Sequence, residues 1–457
     1  MELFGQIVKT VQSFLWDYLL IFLLCGAGLF FTIFLKGVQF RRFRAGLKEM
    51  FSGFSLRGEK AGKHGMSSFQ AAATAIAGQV GTGNLAGAAT AIVLGGPGAI
   101  FWMWVAALLG MATIYAEALL AQKFRTKDRD GQTVGGPAYY IEKGLKCKWL
   151  ARTFAVLIIL ALGFTGNMVQ SNSISAAFQT SLGIPLWVSG LVVAVLVGVI
   201  LLGGIGRIAS FTEKVVPVMA LLYLVGAVAV LAINYRQILP AFGQIFSCAF
   251  KPQAAFGGIG GYTIMRSLKY GVARGLFSNE AGMGSTPHAH AVAQVTHPEK
   301  QGHVAIVSVF FDTFVILTLT ALVILTSGVL PGMISPDAGI NVTQAAFSKA
   351  FGGAGAPFIA VCLLFFAFST IISWYYYGET NVRYLFRHKQ AVTVYKILVI
   401  AFVFIGSLFQ ADIIWNLSDV FNGLMVIPNL AALLLLCPVV FAMSREDSGR
   451  LRRDKIE

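Results

Sequence analysis

A chain of 457 residues with 56% hydrophobic and only 12% charged residues lacks the polar surface to cover a soluble globule of its size. The formal net charge of +15 raises nucleic acid as a partner, but the charge is distributed loop by loop rather than gathered on a patch, which argues against it. Its five cysteines are scattered without pair spacing, so neither a disulfide framework nor a thiolate metal site is expected.

In chain order, apolar runs of the roughly 20 residues needed to cross hydrocarbon lie near 15–35, 68–94, 98–121, 152–178, 186–204, 215–233, 258–292, 304–330, 355–378, 393–410 and 420–443. The first follows Asp17 and runs into Phe34, Leu35 and Lys36 without a small-residue cleavage site, so it reads as a retained span rather than a signal peptide. The expected fold is an all-α polytopic membrane protein with eleven transmembrane helices. With the amino terminus outside, the inside loops carry roughly 27 of the 35 Lys and Arg, against about four on the other side. The richest contain Arg41, Arg42, Arg44 and Lys48, then Lys123, Arg125, Lys127 and Arg129, then Arg450, Arg452 and Arg453. This bias predicts an outside amino terminus and a cytoplasmic carboxyl terminus in a bacterial-type plasma membrane, with the basic clusters serving topology and anionic-lipid contact.

Two spans are interrupted. Residues 76–91, IAGQVGTGNLAGAATA, carry Gly78, Gly81, Gly83 and Gly87, and residues 271–284, GVARGLFSNEAGMG, form a second weak point. Broken helix at membrane depth survives only where protein or a watery cavity surrounds it, so such breaks mark solute or ion sites. Ten spans remain once the first is set aside, in two groups of five that each open on a broken helix, and five being odd, the groups cross in opposite senses as an inverted repeat requires. The expected units are 1–64, an extra span and basic cytoplasmic loop; 65–234, a first five-helix repeat; 235–257, an external connection; 258–443, a second repeat; and 444–457, a basic cytoplasmic tail. Pro240 and Pro252 argue against one continuous helix in the connection. Residues 131–145, GQTVGGPAYYIEKGL, predict a short interfacial helix with Tyr139 and Tyr140 at headgroup level.

At the first break Gly81, Thr82, Gly83 and Asn84 combine freed carbonyls, freed amides and two side-chain oxygens. Amides at a helix start favour a carboxylate and carbonyls at a helix end favour a cation, so a zwitterion travelling with a cation fits both, whereas Gly87 and Ala91 read as small residues for helix packing. In the second break Glu280 is an ionisable residue in an apolar setting with Arg274 before it; it pairs with Arg274 or caps freed amides as a structural clamp, direct cation coordination being the alternative. Phe277 is a candidate apolar wall. Asn167 and Gln170 share one helical face, Gln170 being the best candidate for a substrate contact, and interhelical bonding accounts for part of this polar run. Ser369, Thr370, Ser373 and Trp374 place hydroxyls that suit a hard cation, or else bond back to their own helix. Glu117 and Asp312 lie in apolar runs, able to relay protons or link helices, and His288 and His290 receive no role. No HExxH, CxxC or nucleophile–base constellation is present, so no enzyme, catalytic residue or cofactor is expected.

The strings GTGN from Gly81, GGPGAIFWMW from Gly95, GMATIYAEALLA from Gly110, GGPAYY from Gly135, GNMVQSNS from Gly166 and FSNEAGMGSTP from Phe277 resemble the alanine or glycine:cation symporter family, also called sodium:alanine symporters. The resemblance spans most of the chain. It implies a leucine-transporter-type core of five plus five inverted helices after one extra span, and import of a small neutral amino acid of the alanine or glycine class with sodium, or else a proton. Carried over by motif, Thr82, Gly83 and Asn84 bind the carboxylate region, Gln170 and Phe277 line the pocket, and Trp374 limits side-chain size. The same resemblance places sodium at the carbonyls of Ala77 and Val80 with Ser369, Thr370 and the Phe366 carbonyl. A symporter of other specificity, such as glutamine, and an ion channel are the alternative readings.

Overall fold

The structure, a computed structural model, describes residues 2–52, 65–251, 264–330, 339–386, 388–409 and 411–453, with side chains described from 5 to 446 within those ranges. It is almost wholly helical; the exception among the described residues is a two-stranded hairpin pairing Thr126 with Val134 and Lys127 with Thr133. Among the described residues eight helices are long and apolar enough to cross a bilayer: Gly5–Phe34, Gly98–Lys123, Lys148–Leu182, Gly204–Ile233, Pro298–Ser327, Gly339–Leu385, Lys389–Leu408 and Ala411–Leu435. Two shorter apolar helices, Gly83–Gly95 and Leu186–Leu201, join them. The protein is an integral membrane protein.

Both interrupted spans are broken in the structure. The first begins at Ser68 with a capping box, in which Ser67 Oγ accepts the Gln70 amide (3.1 Å) while Gln70 Oε1 accepts the Ser67 amide (3.1 Å). It ends at Gln79, where Val80 turns to an extended conformation (φ −81°, ψ 92°), and helix resumes through a π-helical turn over Gly83–Gly87. The second runs Ile264–Asn279, breaks over 280–286, and restarts as Pro287–Val292, with Pro at the first helical position where its missing N–H costs nothing. Gly282 (φ +88°) and Gly284 (φ +82°) carry this break through the left-handed region that glycine adopts freely. Residues 258–263, where the expected span begins, lie outside the described residues.

Two expectations need correction. The last apolar run, expected at 420–443, is not one helix: Ala411–Leu435 ends and Cys437–Arg453 begins around Leu436, because Pro438 fits the first turn of a new helix but not the interior of a continuing one. The helix in 131–145 forms as Pro137–Leu145, but Tyr139 and Tyr140 are buried rather than at a headgroup surface, with the Tyr140 hydroxyl bonded to Asn429 Oδ1. Within the connection expected at 235–257, a short 3₁₀ turn, Tyr235–Gln237, leads into helix Ile238–Phe250, whose first turn holds Pro240, while Pro252 lies outside the described residues. That helix packs its Phe246 and Phe250 on Phe101, with ring centroids 5.7 and 5.0 Å away.

The second break is held from outside its own chain segment. Glu117, fully buried on helix Gly98–Lys123, accepts the amides of Gly282 (3.0 Å) and Gly284 (2.9 Å), and Asn429 Nδ2 bridges Glu117 Oε1 (2.6 Å) and the Gly282 carbonyl (2.9 Å). Removing the carboxylate strands both amides at roughly 1–3 kcal/mol each. Glu117→Ala is therefore expected to lower the melting temperature of the purified protein clearly, and Glu117→Gln, which keeps one acceptor, to lower it less. Thermal unfolding in detergent checks this, and a wild-type Tm for Glu117→Ala would refute the capping role.

Candidate functional site

The end of helix Ser68–Gln79 leaves carbonyls that turn toward helix Gly355–Leu385. Thr370 Oγ1 on that helix lies 2.9 Å from the Ala77 carbonyl, 3.3 Å from that of Val80 and 3.1 Å from that of Phe366 in its own preceding turn. A hydroxyl owns one proton and cannot satisfy three acceptors at once. Neighbouring Ser369 Oγ donates to the same Phe366 oxygen at 2.9 Å. Five oxygens thus gather in a fully buried spot with two hydroxyl protons among them, a donor set that suits a small hard cation. Close approach here demands glycine at position 81, since a Cβ there would fall 2.5 Å from Thr370 Oγ1 and 3.1 Å from Gln170 Oε1.

The other side of the break offers amides. The Thr82 N–H donates to Gln170 Oε1 (3.1 Å), and Asn84 Oδ1 accepts the Gly81 N–H (2.9 Å), so Asn84 caps the turn that its own residue follows. Thr82 Oγ1 is buried without a partner. A Cβ on Gly83 would meet Ser278 Cα at 2.9 Å, so the first break touches the second directly. Asp312, fully buried in the π-helical turn Phe310–Leu317, joins them: it accepts Asn84 Nδ2 at Oδ1 (2.7 Å), Ser278 Oγ at both oxygens (3.0 Å each) and Thr313 Oγ1 at Oδ2 (2.9 Å).

Aromatic rings close the site. Phe277 meets Trp374 edge to face, centroids 5.9 Å apart, and leans on Trp415 at 4.9 Å. Beyond Trp415 and Arg274 lies a cavity of about 270 Å³, lined also by Thr90 of the first broken helix and by Asn172 and Asp412.

The expected Arg274–Glu280 pair does not form. Six residues apart on a helix, the two point about 120° away from a common face, and Glu280 lies past the helix end. Arg274 instead pairs with Asp419 and stacks over Trp415, 5.1 Å from the ring centroid, while Glu280 takes Ser285 Oγ (2.5 Å) and the Trp374 indole N–H. The amides of Gly282 and Gly284 in this break go to Glu117, and that of Ala281 goes to Asn279 Oδ1. In the polar run on Lys148–Leu182, Gln170 reaches the first break, whereas Ser171 and Asn172 bond carbonyls of helix Lys389–Leu408 and Phe409, and Asn167 Nδ2 bonds back to Gly163. Sequence reasoning undervalued Asp312 and Glu117, although an ionisable residue inside an apolar run was the available signal. It missed Trp415, Asn429 and Asp419 altogether.

Two broken helices meeting at depth, with surplus carbonyls beside freed amides, define a secondary transporter of leucine-transporter type. The solved structure of MhsT in complex with L-phenylalanine shares the fold, with a TM-score of 0.59 at 14% identity over 84% of this chain and 99% of that one. The chain belongs to the sodium:alanine symporter family, whose profile matches residues 1–455. It is 42% identical to the sodium/alanine symporter AgcS of Methanococcus maripaludis, covering 97% of each chain. It is also 42% identical to the probable sodium/glutamine symporter GlnT of Bacillus subtilis, over 99% of this chain and 93% of that one. It is a transporter and not an enzyme.

Gly81→Ala is expected to abolish transport while leaving membrane expression intact, because the added methyl displaces the Thr370 hydroxyl and the Gln170 amide together. Uptake in proteoliposomes, normalised to protein inserted, checks it; substantial residual uptake would show that this contact is not needed.

Proposed function

We propose that the protein imports a small neutral amino acid, of the alanine or glycine class, together with sodium by alternating access. The observation that carries this reading is the pairing, across one helix break, of the Ala77, Val80 and Phe366 carbonyls around Thr370 with the Thr82 amide held by Gln170. Sodium enters among those carbonyls and the hydroxyls of Ser369 and Thr370, which rotate to present lone pairs. The substrate carboxylate takes the region of Thr82, Gly83 and Asn84, displacing Gln170 Oε1 from the Thr82 amide. Gln170 and Phe277 then line the pocket, and Trp374 bounds the side chain. Arg274 and Glu280 act as clamps on separate partners. Both ligands use the two faces of a single turn, so each favours the arrangement the other needs, which is the differential binding that coupling requires.

In this reading the chain has eleven spans, one extra followed by two inverted groups of five, with the amino terminus outside and the carboxyl terminus in the cytoplasm. The inside bias of basic residues and the two broken helices support it. Asp312 is a specific reason to test the proton as the alternative coupling ion, since it is a buried carboxylate between the two breaks with no ion-pair partner among the described residues.

Uptake of labelled alanine into proteoliposomes, with and without sodium and with an imposed pH gradient, competed by a panel of amino acids, tests the reading. Saturable sodium-dependent uptake inhibited by glycine and serine is expected. Asn84→Ala and Thr370→Ala are expected to raise the apparent Km for alanine and sodium by about tenfold or more, the effect of losing roughly 1.4 kcal/mol of binding. Wild-type values in both variants remove the site assignment; preference for glutamine, uptake driven by protons alone, or ion conduction without amino acid replaces the function.

A further inference from the structure

The most expensive group in the second break is the one the transport scheme uses least. Glu280 is fully buried, has no ion-pair partner among the described residues, and holds a left-handed backbone conformation (φ +57°) that disfavours any residue with a side chain. A carboxylate kept under such conditions is retained for what it touches. One oxygen accepts Ser285 Oγ (2.5 Å), which fixes the carboxylate; the other accepts the indole N–H of Trp374.

Trp374 is confined elsewhere as well. Its six-membered ring lies so close over Gly166 that a Cβ there would sit 2.5 Å from Cζ3 and 2.8 Å from Cε3. Phe277 meets it edge to face on another side. Packing against Gly166 and Phe277 confines the fully buried ring by shape alone, without reading its polar atom. The hydrogen bond to Glu280 is the directional restraint. It ties the indole to the break itself, so the ring's position is set by the backbone that must move in the transport cycle.

The geometry points to Glu280 as a specificity-determining positioning residue, which fixes the rotamer of Trp374 through its indole N–H and thereby sets the largest amino-acid side chain the pocket admits. This rests on the proposed placement of Trp374 in the pocket. Glu280 acts through the tryptophan and need not touch substrate. Its acceptor oxygen matters, together with the length of its side chain, whereas its negative charge as such does not.

Competition of alanine uptake by glycine, serine, valine and leucine in proteoliposomes tests this with Glu280→Ala, Glu280→Asp, Glu280→Gln, Trp374→Phe and the Glu280→Ala/Trp374→Phe double variant, alongside the sodium dependence of each. Glu280→Ala is expected to improve competition by valine or leucine relative to alanine by about tenfold, the scale on which a hydrophobic pocket discriminates methylene groups, with no matching shift in the sodium half-saturation. Glu280→Asp, which keeps the charge but retracts the acceptor by one methylene, relaxes the cut-off in the same direction and serves if the alanine variant does not fold. Glu280→Gln, whose amide oxygen still accepts the indole proton, restores a cut-off close to wild type. Trp374→Phe relaxes the cut-off, and adding Glu280→Ala to it changes nothing further, since residues acting as one unit are not additive. A wild-type cut-off in Glu280→Asp, a relaxed one in Glu280→Gln, or additive effects in the double variant overturns the inference. An unchanged cut-off in Trp374→Phe instead overturns the placement of Trp374 in the pocket.

Discussion

Backbone polar groups freed at membrane depth cannot turn to solvent, and each must find a partner inside the protein. That constraint organises the centre of this molecule. The amides of Gly282 and Gly284 are met by Glu117, that of Thr82 by Gln170 and that of Gly81 by Asn84, while the carbonyls of Ala77 and Val80 face Thr370. Every one of these partners except Asn84 lies on a different helix from the break it serves. The breaks are thus points where several helices are fastened together.

The two breaks are satisfied in different ways, and the difference bears on function. At the second, a carboxylate grips two amides and is itself braced by Asn429, which is bonded in turn to Tyr140. Both of those amides are met, although Thr286 Oγ1 in the same break is buried without a partner. At the first, one hydroxyl faces three carbonyls and a neutral side-chain amide holds the backbone N–H that a carboxylate would hold more strongly. In the transport scheme proposed above, ligands improve those contacts, which is the arrangement a carrier needs if it is to bind and release. Asp312 lies between the two, bonded to Asn84 on one side and Ser278 on the other, and so links the two breaks through one carboxylate.

Much of this is legible in the sequence. The glycines of 76–91 and 271–284 marked both breaks, the apolar runs marked a helical protein that crosses the membrane several times, and the strings from Gly81, Gly166 and Phe277 carried the family resemblance. Helix ends were less legible where hydropathy ran on across a break, as at Leu436, because hydropathy reports burial and not whether a proline falls in a first turn or an interior. Tyr139 and Tyr140 misled for a related reason: an aromatic with a polar tip suits a headgroup surface and a buried hydrogen bond equally, and only the positions of the Thr380 carbonyl and of Asn429 decide between them. Arg274 and Glu280 looked like natural partners because they are near in sequence, yet each is bonded to a group from a distant segment.

The sequence by itself determined that the chain lives in a membrane, that two of its helices break, and which family it belongs to, because composition, glycine placement and motif strings are local properties that survive without a fold. The tertiary structure alone decided who satisfies whom. Gln170 is 88 residues from Thr82, Asp312 is 228 from Asn84 and Asp419 is 145 from Arg274, and no periodicity or spacing encodes such pairings. They arise because buried polar groups take whichever partner the packing of separate helices brings within reach, a choice made in three dimensions and not along the chain.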